Sequence, residues 1–412
     1  MNIKKKRKEF KILQITKNPF PPEIRVLKEA VAFHDAGYQS AVICPPGEGQ
    51  ANYEVWQGIE IFRPEKLSRV GKVRRILFQM TFQHKIWQDE ITKIIGEHAP
   101  DVLHVHDIWL FNAVKSGSLG QRLVLDLHEN MPGMVEQARK GYRGMQSWFR
   151  KFFHSPERIF AYEAYCIAHS DLVLTVVEEA SERVLREHAQ AEQGKVRNVE
   201  NLESKRFVEA KAHGQPKFNN NVFSILYIGG VTPERGLETV IEAMKILKES
   251  GLKACFHIIG ADESDYTSKL KEIVAKNDLS KFVNLIDWVP SSEVFANICQ
   301  ADVCCVPHFS NSHTDNTIPH KLYQYMISRR PVLVSSSKPL ARTVSQANSG
   351  LVFKAGDAKD CSEKIAKLVQ EPDTCRELAQ NGYDYVTVKG HNWEDESAPV
   401  LIEAYDRLLR LC

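Results

Sequence analysis

Short apolar runs alternate with amphipathic stretches of helical period along almost the whole chain. KILQI (11–15), SAVIC (40–44), DVLHVH (101–106), RLVLDL (122–127) and DLVLTVV (171–177) each have the length of a strand. Between them lie segments such as EIRVLKEAVAFHDAG (23–37), apolar at helical spacing and ending on Gly37 as a C-cap signal. A strand, a helix and another strand in succession call for parallel pairing, with helices covering both faces of the sheet. The alternation breaks at ESKRFVEAKAHGQPKFNNN (203–221), a polar stretch with Gly214, Pro216 and three consecutive asparagines. It restarts with VFSILYIGG (222–230), a helix over 234–250, ACFHIIG (254–260), a helix over 264–276 and FVNLID (282–287). ADVCCVP (301–307), PVLVSSS (331–337) and GLVF (350–353) continue the second sheet. A chain of 412 residues exceeds what one hydrophobic core ordinarily organises. The pattern therefore predicts an α/β protein of two doubly wound parallel-sheet domains. Their ligands would sit beyond the carboxyl ends of the strands, across a cleft.

Composition narrows the function classes. A net charge of +2 gives no reason to expect a nucleic-acid partner. The nine cysteines show no paired or metal-ligand spacing, which points to a reducing compartment and hence the cytoplasm. The basic start MNIKKKRKEF lacks the apolar stretch of a signal peptide, and no run of 18 apolar residues is available to span a membrane.

Two segments of the second half carry the clearest chemistry. In YIGGVTPERGLETVIEAMKIL (227–247) a strand ends in Gly229-Gly230, a turn holds Pro233, and a helix opens near Arg235 and Gly236. Glycines let the backbone approach a ligand, and a helix start beside a cation suits a phosphate; the alternative is a tight turn with Arg235 solvated. In NTIPHKLYQYMISRRPVLVS (316–335) the spacing predicts a helix beginning near Pro319, with the backbone N–H groups of residues 318–320 free for an anion. Lys321 falls in its first turn, where a cation opposes the helix dipole unless an anion is present. Gln324 follows on the same face and, without a ligand, reads as an ordinary exposed amide.

Together these segments resemble the C-terminal domain of the family-4 retaining glycosyltransferases of the GT-B fold. The matching positions are Gly229, Glu234, Gly236, Met326 and Pro331-Val332, and TIPHKLYQYM is similar to the form found in surface-polysaccharide members. The resemblance implies a nucleotide diphosphate sugar as donor, bound by Gly229, Gly230, Arg235, Thr317, Ile318, Pro319, His320, Lys321 and Gln324. Arg235 stands where the family has lysine, and Gly230 where it has arginine. The family's two glutamates fall on Asn316 and Gln324, the second being the ribose-binding position. It further implies His128 as the active-site histidine, acting with Arg235 and Lys321, and Arg25, His106, Asp107 and Glu129 on the acceptor side. Lys28 lies beside Arg25 in the same first helix.

HVHDIW (104–109) puts His104 and His106 on one face of a strand, with Asp107 at its end. A zinc reading of His104, His106 and His128 lacks a fourth ligand at motif spacing, and no D-x-D occurs, so neither metal nor cofactor is expected. Two basic segments, 63–87 and 139–153, bear aromatic residues. They read either as solvated faces or as surfaces for anionic lipid, with the apolar positions of 73–94 at helical spacing.

The reading is an N-terminal domain 1–205, a C-terminal domain 206–390, and a final segment 391–412 whose helix returns to the N-domain. It implies transfer of a sugar, with retention and without metal, to a glycan or lipid-linked acceptor, in the cytoplasm or peripherally on the membrane. Two rival readings stand beside it: a non-catalytic sugar-nucleotide-binding partner of another transferase, and a nucleotide-sugar epimerase of the same fold. No G-x-G-x-x-G follows a strand, which disfavours a dehydrogenase.

Overall fold

The computed structural model describes residues 6–21, 23–68, 78, 80–140, 155–208, 215–219 and 222–411. The chain forms two compact units, one of Met1–Glu200 with Ser397–Cys412, the other of Asn201–Glu396. The breaks fall a few residues from the expected 205 and 390. The cause is local: Trp393 N–H donates to the Glu203 carbonyl and Lys205 N–H to Glu394, which ties the two crossing strands of chain together in the second unit.

The first unit has one eight-stranded sheet in the order β3-β4-β2-β1-β5-β6-β7-β8. Its strands are β1 (Lys11–Ile15), β2 (Gln39–Ile43), β3 (Tyr53–Trp56), β4 (Ile59–Phe62), β5 (Val102–His106), β6 (Arg122–Leu127), β7 (Leu172–Thr175) and β8 (Val196–Asn198). All neighbours are parallel except β3 and β4. That hairpin was not anticipated. Its turn is Gln57-Gly58, both with positive φ (50° and 82°), the geometry that matches the twist of paired strands. Parallel strands bury both faces, which explains their continuous apolar runs. Along β2, Ala41 and Ile43 join one buried cluster while Val42 joins the other. The helix Ile24–Ala36 ends on Gly37 in the left-handed conformation, as the sequence predicts.

The second unit has a six-stranded, all-parallel sheet in the order β11-β10-β9-β12-β13-β14. The strands are β9 (Phe223–Ile228), β10 (Ala254–Ala261), β11 (Val283–Asp287), β12 (Val303–Val306), β13 (Val332–Ser335) and β14 (Gly350–Phe353). The helix Leu237–Glu249 buries Leu237, Val240, Ile241, Met244 and Leu247 against this sheet, one stripe of helical period. Each such side chain contributes about 1.5–3 kcal/mol when fully buried.

In each sheet the strand order reverses beside the first strand: between β1 and β5, and between β9 and β12. A doubly wound sheet opens a crevice at that point, beyond the carboxyl ends of the strands. The candidate residues lie there.

Candidate functional site

In the first unit the site is built around one carboxylate. Asp126 sits near the end of β6, in register with His106 of β5. Its Oδ2 lies 2.6 Å from His128 Nε2, 3.3 Å from His106 Nδ1 and 3.8 Å from His104 Nε2. Arg25 donates to both Asp126 oxygens at 2.9 Å. A second buried carboxylate, Glu29, lies one helical turn beyond Arg25 and 3.1 Å from its Nε. Arg25, Glu29, His104, His106 and Asp126 are all buried.

Burial opposes the charge of Asp126, but Arg25 first and His128 next outweigh it and hold the carboxyl well below its usual range. Burial likewise opposes charge on His128, and Asp126 and Asp107 overcome it, raising the imidazole to about 9. It is therefore a cation at neutral pH. His106 lies the other way, held well below its ordinary value by burial and then by His104. Asp107 has φ 60° and ψ 171°, a region that costs a non-glycine residue about 1–3 kcal/mol. Its N–H donates to the Asp126 carbonyl and its Oδ1 accepts from the His128 N–H, so the strained residue fixes the backbone on either side of the imidazole.

Glu29, His104, His106 and Asp126 offer four potential ligand atoms within 4.8 Å of one another. The three imidazoles converge on Asp126 Oδ2 itself, and Arg25 already pairs with both carboxylates. The chemistry of that donor set is an ion-pair network centred on an anion, not a cage around a cation.

The second unit contrasts with this. Gly229 follows β9 with φ 136°, and a Cβ there would stand 2.3 Å from Lys321 Nζ. The ammonium would have to shift to admit a side chain, and the positive φ by itself favours glycine here. Lys321 Nζ lies 4.1 Å from the Tyr227 ring centre, while the Tyr227 hydroxyl donates to the Gly230 carbonyl. Burial, then Arg235, lowers the Lys321 ammonium to about 7. Arg235 closes a short helical turn, Pro233–Arg235, before Gly236 (φ 65°), whose Cβ would collide with the Pro307 carbonyl. Arg235 Nη1 lies 3.3 Å from His308 Nε2, and His308 is held neutral by burial and by the same two cations. Among the described residues neither Arg235 nor Lys321 is paired with a carboxylate.

Several expectations need correction. The regular helix runs from Lys321 with His320 as its cap, and the turn leading into it begins at Pro319, whose carbonyl accepts from the Leu322 N–H. Ile318 is buried and Thr317 is extended. Gln324 is buried too: its Nε2 donates to Glu203 at 2.7 Å. Asn316 is tied into its own turn through the Ser312 carbonyl. Arg25 is buried and already bound to Asp126, Glu29 and the Val199 carbonyl, so its charge is taken up within the unit. Glu129 follows His128 on the loop after β6, and Lys28 is buried on the helix with Arg25.

The basic segments are less available than their composition implies. Arg63 is fully buried on the Phe20 and Ala51 carbonyls, while Lys66 pairs with Glu90 and Lys85 with Asp89. The helix there runs Lys85–His98, with Trp87, Ile91 and Ile94 buried and Met80 exposed ahead of it. Residues 69–77 and 141–154, with most of the expected basic and aromatic positions, lie outside the described residues. No helix among the described residues is long and apolar enough to cross a membrane, and the described cysteines are all free.

Asp126, Glu29, Glu203 and His308 were missed. Asp126 and Glu29 had a signal: a carboxylate inside an apolar strand run, and an Arg25–Glu29 pair on the helix face shared with Val26, Ala30 and Phe33. Glu203 and His308 had none. A cavity of about 730 Å³ in the second unit, lined by Phe218, Cys255, His257 and Asn284, lies along β10 and the edge strand β11. It takes no part in this site.

Comparison with known proteins bears on both units. The family model described as Glycosyltransferase Family 4 matches residues 23–201, and that described as Glycosyl transferases group 1 matches 208–385. The amylovoran biosynthesis glycosyltransferase AmsK of Erwinia amylovora is 29% identical over 147 residues, 35% of this chain and 36% of that protein. The putative colanic acid biosynthesis glycosyltransferase WcaL of Escherichia coli K12 is 26% identical over 147 residues, again 35% and 36%. The capsular polysaccharide biosynthesis glycosyltransferase CapM of Staphylococcus aureus is 25% identical over 198 residues, 46% and 47%. The chain thus matches between about a third and a half of these relatives' lengths. Among solved structures, a sucrose-phosphate synthase of Thermosynechococcus elongatus shares the fold at TM-score 0.78 and 16% identity, covering 98% of this chain and all of that one. WaaG, a glycosyltransferase involved in lipopolysaccharide biosynthesis, shares it at 0.66 and 15%, over 96% and 99%. Anabaena HepE, in complex with UDP and glucose, shares it at 0.69 and 11%, over 97% and 100%.

Proposed function

Because this chain belongs to the family-4 glycosyltransferases of the GT-B fold, we propose that it transfers a sugar from a nucleotide diphosphate donor to a glycan or lipid-linked acceptor in surface-polysaccharide assembly. We propose retention at the anomeric carbon and no metal. The observation that carries the reading is the adjacent pair Arg235 and Lys321, two cations without a carboxylate partner among the described residues, at the switch point of a parallel sheet. A diphosphate supplies the missing negative charge.

In this reading the bond from the anomeric carbon to the diphosphate oxygen breaks and a bond to the acceptor oxygen forms. The acceptor's proton leaves with the diphosphate. Arg235 and Lys321 stabilise the charge that develops on the departing group, where a fixed donor acts more strongly than water. Gln324, held by Glu203, borders the ribose side. His128, charged and seated on Asp126 through Nε2, presents its other N–H to a sugar hydroxyl. The UDP complexes of HepE support a nucleotide as the donor's handle.

The test is a thermal-shift panel of nucleoside diphosphates and their sugars, followed by turnover of the tightest donor with and without excess chelator. Binding followed by transfer that persists in chelator supports the whole reading. Donor binding with no turnover on any acceptor favours a non-catalytic partner, which Gly230 and Asn316 in place of the family's charged residues would suit. Product formed without acceptor favours an epimerase.

A further inference from the structure

The final helix, Ala398–Leu408, buries Leu401, Ala404, Tyr405 and Asp406 on one face. Two of these are polar, and each has a long-range partner. Asp406 accepts from Arg7 Nε at 2.8 Å and from the Tyr38 hydroxyl at 2.7 Å, which fastens the helix to the first unit. Tyr405 packs its ring 4.6 Å from that of Phe33, and its hydroxyl lies 2.6 Å from His104 Nδ1.

Burial, then Glu29, keeps the Tyr405 phenol protonated far above neutral pH. A protonated phenol donates, so His104 Nδ1 accepts and the ring's own proton belongs on Nε2. That nitrogen faces Glu29 Oε2 at 3.3 Å. Glu29 in turn lies 3.1 Å from Arg25, Arg25 grips both oxygens of Asp126, and Asp126 carries His128. Tyr405, His104, Glu29 and Asp126 are each 0% exposed, so water cannot substitute for any link.

We propose that Tyr405, His104 and Glu29 are positioning residues for His128, forming a buried relay through which the C-terminal helix sets the orientation and proton of that imidazole. The hydrogen bond from Tyr405 and the ion-pair contacts beyond it give the relay its effect. With Tyr405 donating, His104 turns its Nε2 proton toward Glu29 at ion-pair distance; burial and then Asp126 raise the Glu29 carboxyl above its ordinary value, and Arg25 and then His104 act against that rise. With Glu29 ionised, two buried anions, Glu29 and Asp126, balance two cations, Arg25 and His128. Removing the charge of Glu29 leaves the network one cation in excess, and His128 is the member able to give up a proton. The charged and titratable groups facing His128 are Asp126 from β6, His106 and Asp107 from the end of β5, and Arg25 and Glu29 from the first helix, with Lys17 acting on Asp107.

The relay builds on the proposed role of His128, yet its test reads the imidazole directly, so it can fail while transfer stands and stand if transfer fails. Imidazole ¹H–¹⁵N spectra of the full chain are recorded across pH for wild type, Glu29→Gln, Tyr405→Phe and the packing control Phe33→Leu. Wild-type His128 should titrate near about 9. Glu29→Gln should lower that midpoint by about one unit. Tyr405→Phe should move the His104 Nδ1 resonance and lower the His128 midpoint by a smaller step. Phe33→Leu should reduce thermal stability and leave the midpoint in place. If Glu29→Gln does not fold, Tyr405→Phe decides, since it deletes a single hydroxyl. The proposal is overturned if the folded relay variants keep the wild-type midpoint, or if Phe33→Leu shifts it as far as they do.

Discussion

Around His128 the charges of Arg25, Glu29, Asp126 and His128 each have an opposite within salt-bridge distance, whereas Arg235 and Lys321 in the second unit repel each other with no carboxylate partner among the described residues. Both clusters lie at the strand-order reversal of a doubly wound sheet. They differ in what completes them. The first has its charges paired by its own side chains, although Glu29 and His104 Nε2 lack hydrogen bonds, and so is a template oriented before anything binds. The second is left in electrostatic tension, visible in a lysine lowered to about 7, and a bound anion relieves it.

The comparison is broken most severely by unbalancing the satisfied cluster. Asp126→Ala strands Arg25, Glu29 and the histidines, and loss of one partner of a buried ion pair costs about 3–5 kcal/mol. Denaturant unfolding should report that loss, together with a changed pH dependence. In wild type the raised His128 contributes stability in full below its unfolded value of about 6.5 and loses it as pH rises through about 9. In the variant that alkaline loss should shrink. An Asp126→Ala protein as stable as wild type would mean the network is idle.

In the tense cluster, removal of a cation should harm function and spare the fold. Arg235→Ala should slow transfer by roughly 10²–10³, the usual cost of losing one group that stabilises transition-state charge. Its melting temperature should hold or rise, since Lys321 loses a repulsive neighbour. Near wild-type turnover would separate Arg235 from the diphosphate.

Lys321 sharpens the contrast through pH. A bound diphosphate favours the ammonium, so nucleotide affinity should fall as pH rises past the free lysine's value of about 7. Linkage limits the loss to about tenfold per pH unit, or roughly fifty-fold between about pH 7 and pH 9. Lys321→Arg, cationic throughout, should flatten the curve. Calorimetry with UDP, GDP and ADP measures it, and a flat wild-type curve would count against Lys321 as an anion partner.

The smallest effect concerns Gln324. A carboxylate at this position, the residue type the family resemblance leads one to expect, would here meet Glu203 at the 2.7 Å now spanned by an N–H···O bond. Gln324→Glu should therefore weaken nucleotide binding by about three- to tenfold, a like-charge penalty near 1 kcal/mol. Adding Glu203→Gln should restore it. Independent, additive effects of the two changes would show that the pair does not act as a unit.

Much of the fold was legible because parallel α/β structure repeats a local signal. The strands KILQI and RLVLDL occur at the predicted residues, and Gly37 caps its helix, because each depends on neighbours a few positions away. The β3–β4 hairpin escaped since YEVW and IEIF are only four residues each and both carry a glutamate, with Gln57 in place of a commoner turn residue. Arg63 looked like part of a basic surface and is instead fully buried among carbonyls.

The sequence by itself determined the two sheets, a break between them read at 205 and found at 200, and the glycines of the turn after β9. It also supplied His128, Arg235 and Lys321 as candidates. Only the tertiary structure decided what each is worth. Arg25 meets Asp126 101 positions away, Gln324 meets Glu203 121 away, and His104 meets Tyr405 301 away. Charge state and hydrogen-bond direction depend on distances of a few ångströms in a low-dielectric interior, where a partner's arrival outweighs any local preference. Periodicity along a chain records which face of an element is buried; it carries no record of which distant side chain is buried with it.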